Sequence, residues 1–171
     1  ERALTHLLTE PLSHEQRPRT LMELAILYDE QGEWREADRR YAEALAAYAE
    51  VSNPLGMAKV NNNWAISLCF RFEQCAQETP GQPPYLQRAL DLHTQARTLA
   101  NALGYEGEWE TAKSWHGLGK VLAHQRNYAA AESAFSTYIA LCIAQDNEHA
   151  CDYTCTDLAR WIYLPLNRHD D

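Results

Sequence analysis

The chain has 171 residues, 46% hydrophobic and 23% charged, which is enough apolar material for one buried core and too much for disorder. Its formal net charge of −9 argues against general binding to nucleic acid or to an anionic membrane, and no apolar run is long enough to span a bilayer. Five cysteines, Cys69, Cys75, Cys142, Cys151 and Cys155, lie in helical contexts rather than a loop-rich framework, so reduced thiols and a cytoplasmic location are expected.

A small residue follows a large apolar one in Leu24-Ala25, Trp64-Ala65, Leu118-Gly119 and Leu158-Ala159, at intervals of 40, 54 and 40. One helical hairpin cannot bury its own apolar face, so a repeat of this length predicts stacked hairpins with one continuous core. From Thr20 to Glu50 the apolar positions recur at helical spacing and break at Glu30-Gln31-Gly32-Glu33, which predicts two antiparallel helices and a tight turn. The segment 73–84, EQCAQETPGQPP, adds 12 residues between the helices of the second hairpin, as an elongated loop or a helix extension stopped by the prolines. The two-helix pattern returns from Ser114 to Ala144, with its turn at Asn127-Tyr128. Near the end, Trp161, Ile162, Tyr163 and Leu164 read as a capping segment.

Trp115, Leu118, Gly119, Leu122, Ala131 and Phe135 match the signature W-x2-L-G-x2-Y…A-x3-F, and the chain therefore resembles the tetratricopeptide repeat family in its longer variety of about 40 residues per unit. A first copy runs Leu21, Leu24, Ala25, Tyr28, Ala37, Tyr41. A second runs Asn61, Trp64, Ala65, Leu68, Ala89, His93, where His93 stands in for an aromatic residue and leaves the local packing open; Cys155, Leu158, Ala159 and Ile162 form a half copy. The resemblance implies an all-α solenoid wound as a right-handed superhelix. Its single domain would comprise a partial repeat at 1–17, whose helix over 1–10 lacks its partner, repeats at 18–53, 54–103 and 104–147, and a half repeat or cap at 148–171. Because the chain starts at Glu1, it is expected to be a piece of a longer protein.

In that family the first helix of each repeat lines the inner groove, and the resemblance assigns this role to Arg19, Met22, Glu23, Ile26 and Asp29, then to Lys59, Asn62, Asn63, Ile66 and Cys69. The third copy would contribute Lys113, His116, Gly117, Lys120 and His124, and the half copy Arg160 with Asp157. Lys59, Lys113, Lys120 and Arg160 would make the groove basic in an acidic chain, which suits an acidic partner segment, and Asn62 and Asn63 could pair with a peptide backbone. The expected function is a protein-protein interaction module that binds a peptide or domain of another protein. The alternative is a sensor or scaffold region of a larger regulator or enzyme, touching other domains of its own chain.

No catalytic role is expected, since the sequence lacks the phosphate-binding and metalloprotease motifs and no Cys or His has a base and an orienting group in its local context. The paired carboxylates Glu108 and Glu110 read as solvated turn residues. His149, Cys151 and Cys155 form H-x-C-x3-C, a spacing that matches no standard zinc site, so neither metal nor cofactor is expected.

Overall fold

The structure, a computed structural model, describes residues 16–76 and 85–166. All regular structure in this part is helical: α1 (Gln16–Glu30), α2 (Trp34–Glu50), α3 (Pro54–Ala76), α4 (Tyr85–Asn101), a 3₁₀ turn (Gly104–Gly107), α5 (Glu108–His124), α6 (Tyr128–Ala144), α7 (Glu148–Leu158) and a π turn (Ala159–Tyr163). The expected helix over 1–10 lies outside the described residues. None of the described helices is long and apolar enough to cross a membrane.

Turns 31–33, 51–53, 125–127 and 145–147 share one geometry. Each has a left-handed residue at its centre: Gly32 at φ +75°, Ser52 at 51°, Arg126 at 61° and Asp146 at 54°. In each the following N–H returns to the carbonyl five residues earlier, Glu33 to Tyr28, Asn53 to Tyr48, Asn127 to Leu122 and Asn147 to Cys142, at 2.8 to 3.0 Å. This Schellman closure satisfies carbonyls that the helix end would otherwise leave bare. At the start of α3, Pro54 occupies the first helical position and Asn53 Oδ1 accepts the Gly56 N–H at 2.8 Å.

Each helix packs on the next in sequence, and α1 also touches α3, α3 touches α5, and α5 touches the π turn. The two short turns reverse the chain twice, so α1 and α3 run in the same direction. Their cross-links agree: Asn63 meets Met22, and two turns later Arg71 meets Asp29. The small residues sit at the crossings as expected, with Ala25, Ala37, Ala65, Ala89 and Ala131 fully buried. At Gly119 an added Cβ would lie 2.7 Å from the Phe135 ring, so the close approach requires glycine. Ala159 departs from the pattern; it is exposed at the start of the π turn, and the contacting residue there is Ile162, fully buried beside Phe135 and Leu158.

The first turn of the 73–84 insertion is helical, since α3 continues to Ala76 and reaches 23 residues; positions 77–84 lie outside the described residues. That extension carries Glu73 toward α5.

Candidate functional site

Two polar networks fix the helices that bear the predicted groove residues. In the first, Arg71 is 1% exposed and donates to Asp38 Oδ1 at 2.9 Å and to Asp29 Oδ1 at 2.5 Å. Asp38 Oδ1 also accepts from Trp64 Nε1 at 2.7 Å; the Trp64 ring stacks on Tyr41, with centroids 5.6 Å apart, and the Arg88 guanidinium lies 4.1 Å from its centroid. Burial, followed by the Asp29 carboxylate, pushes the Tyr41 phenol far above its ordinary value. Neither Arg71 nor Asp38 stands out from the repeat signature. The available signal was one cation inside the apolar run Leu68-Cys69-Phe70-Arg71-Phe72.

The second network corrects three expectations. Asn62 does not face a groove; it is fully buried, and its Nδ2 donates to Glu110 Oε2 and to the Glu110 carbonyl, both at 3.0 Å. Glu110 is not a solvated turn residue but 2% exposed in the first turn of α5, where a carboxylate is favoured by the helix dipole. Gly117 is also buried, because an added Cβ would fall 2.1 Å from the His93 ring. His93, the departure from the aromatic pattern, packs without disorder of the hairpin: it is fully buried, with Nδ1 3.0 Å from Asn62 Oδ1.

The amide orientation of Asn62 follows from Glu110, which offers it only acceptors. Asn62 Oδ1 can then only accept, so the His93 proton resides on Nδ1. Its Nε2 has no hydrogen-bond partner among the described residues. Burial, with the charges of His116 and Lys120 adding to it, pushes the His93 imidazole down to about 3. The native state thus refuses a proton that an unfolded histidine takes up near pH 6.5, and stability falls as pH drops from about 6.5 toward 3, by at most about 1.4 kcal/mol per unit. Replacing His93 by Gln keeps a donor toward Asn62 and removes the titration. Urea unfolding between about pH 6.5 and pH 5 is expected to show a slope flatter by about one proton in His93→Gln; parallel slopes would contradict a neutral buried imidazole.

Cys69, also expected in the groove, is instead 4% exposed and packed in the core, and most of the remaining predicted groove residues divide into two zones. On α5 the zone is ionic and closed on itself. His116 Nε2 lies 2.8 Å from Asp157 Oδ2, His124 Nε2 lies 3.0 Å from Glu73 Oε1, and Lys120 Nζ is 3.8 Å from the same Glu73 oxygen. Lys113 pairs with Glu110 at 3.2 Å, and Arg160 and Lys120 lie over the Trp161 ring at 4.9 and 6.0 Å. The hydrogen bond with His124 holds Glu73 below its ordinary value against burial. For Asp157, burial acts upward but is outweighed by the hydrogen bond and charge of His116, and the carboxyl is held low. The cationic surface predicted from Lys113 and Lys120 is thereby largely neutralised by side chains of this chain. Lys59, half-buried, forms no ion pair with a described residue, and Arg19 is engaged with Glu23 at 2.8 Å.

Between α1 and α3 the surface is different. A trough of about 730 Å³ is lined by Ile26, Trp34, Tyr41, Ile66 and Phe70, with Asn63, Ser67 and Gln74 on the α3 side and Asp29, Glu30, Gln31 and Gly32 at one end. Ile66 and Phe70 are each 51% exposed one turn apart, so two large apolar side chains share a solvent-facing stripe. Of the predicted residues, Ile26, Asp29, Asn63 and Ile66 line this trough, and Met22 adjoins it through its contact with Asn63.

Cys151 is half-buried and Cys155 exposed, and among the described residues no three His, Cys, Asp or Glu side chains converge as metal ligands would. Compared with known proteins, the sequence matches no family model and none of the curated proteins searched.

Proposed function

We propose that this chain is a protein-interaction module built as a tetratricopeptide-like solenoid, and that its docking surface is the trough between α1 and α3. The observation that carries the reading is the pairing of a concave apolar volume of about 730 Å³ with Ile66 and Phe70, half-exposed side chains on a helix otherwise fixed by buried ion pairs and amide bonds. Rigid framing of exposed apolar anchors lowers the ordering cost of binding, which favours capture of a peptide or helix over a structural role for the patch. The first helices of the three hairpins lie side by side through the α1–α3 and α3–α5 contacts, in keeping with the stacked arrangement that the repeat signature implies.

The test is photo-crosslinking in cells from position 66, with position 133 on the exposed face of α6 as control. Discrete adducts are expected from 66, absent from 133 and removed by Phe70→Asp. Equal labelling from both positions would count against the trough as a docking surface. Because Phe70 is half-exposed, Phe70→Asp is expected to change folding stability by less than about 1 kcal/mol, checked by urea unfolding.

A further inference from the structure

We infer that the segment taken by the α1–α3 trough is basic and amphipathic, with an apolar anchor followed by a lysine or arginine; this rests on the docking role proposed above. The lining contains two carboxylates, Asp29 and Glu30, and no Lys or Arg. Both sit in the last turn of α1, which holds no basic residue, so their charge adds to the negative end of the helix dipole instead of opposing it. Asp29 is offset by Arg71 behind it. Glu30 is exposed and forms no ion pair with a described residue, leaving an uncompensated anionic lip beside the apolar floor.

A second polar feature marks the trough as a surface with unmet hydrogen-bonding capacity, without itself choosing the sign of the occupant's charge. Ser67 lines the trough, is 8% exposed, and its Oγ has no hydrogen-bond partner among the described residues. Buried hydroxyls are rarely left unpaired. An acidic segment would meet Glu30 with like charge, whereas a cationic one gains from the lip and can lay its apolar stem against the half-exposed Phe70 ring.

Two fluorescent amphipathic peptides with the same Leu and Phe pattern, one carrying Lys and the other Glu at its polar positions, distinguish the outcomes. With the full chain at low salt, the Lys peptide is expected to bind at least about tenfold more tightly, with the preference shrinking as salt is raised. Glu30→Lys should erase the preference. Glu50→Lys, the same charge change at the exposed end of α2, should preserve it, and Ile66→Ser, which removes the anchor without adding charge, should weaken both peptides. If the two charge variants lose the preference equally, attraction to the net-negative chain explains it and the inference falls. Equal binding of both peptides, tighter binding of the Glu peptide, or binding of neither also overturns it. The docking role itself is decided separately, and fails when crosslinks from position 66 are absent or no more specific than those from position 133.

Discussion

Arg71→Ala is expected to destabilise the fold by about 3–5 kcal/mol, because it leaves a buried carboxylate without its counter-charge. The guanidinium bridges Asp29 on α1 and Asp38 on α2 from α3. The loss is not shared equally. The Asp38 side chain is 32% exposed and keeps Trp64 Nε1 and the nearby Arg88, whereas that of Asp29 is 13% exposed and loses its ion-pair partner. Asp29→Asn should therefore recover part of what Arg71→Ala costs, and Asp38→Asn little. Arg71→Met separates charge from packing, since it retains most of the apolar stem. Chemical denaturation of the four single variants and of the Arg71–Asp29 and Arg71–Asp38 double variants checks this; a loss below about 1 kcal/mol for Arg71→Ala would mean that water or another side chain reaches Asp29.

Asn62→Leu is expected to cost about 3 kcal/mol, although it exchanges one buried side chain for another of similar size. The amide is the junction of three helices: it gives two hydrogen bonds to Glu110 of α5 and offers its oxygen to Ser114 of α5 and His93 of α4. With leucine there, Glu110 keeps Lys113 as its ionic partner among the described residues, and the His93 donor loses its acceptor. Adding Glu110→Leu should restore a good part of the stability, because deleting both partners of a buried pair costs less than deleting one. The exposed part of Lys113 keeps the penalty for orphaning it small. If the double variant is less stable than Asn62→Leu alone, the carboxylate must be held chiefly by other groups.

The small residues and the helix periodicity made the all-helical fold legible, since close crossings demand alanine or glycine whatever the surrounding sequence. Gly32 announced its turn. Ser52, Arg126 and Asp146 adopt the same left-handed geometry without glycine, so at these three closures the left-handed position itself was not marked, although the break in the helix pattern at Asn127-Tyr128 located one of the turns. The site was less legible for a different reason. Helical spacing says which residues share a face but not how far a neighbouring helix overlaps that face. Asn62 and Asn63 are adjacent in sequence, yet one is sealed beneath α5 while the other lines the open trough. Glu110 was misread because local context in a turn resembles solvent exposure, and its partner is 48 positions away. The charge of the α5 zone depended on Glu73, whose position was set by whether the insertion continued α3 or left it.

The extra helical turn of α3 has a consequence for how the molecule comes apart. Arrays of nearest-neighbour units can fray from their ends, one pair of helices at a time. Here α3 grips the first hairpin through Arg71, the third through Asn62 and again through Glu73, so peeling away either flank means breaking bonds made by the middle. A single sharp melting transition reported alike by Trp34 at one end and Trp161 at the other is the behaviour of a chain clamped at its centre, and it would keep the apolar cleft in shape until the whole molecule lets go.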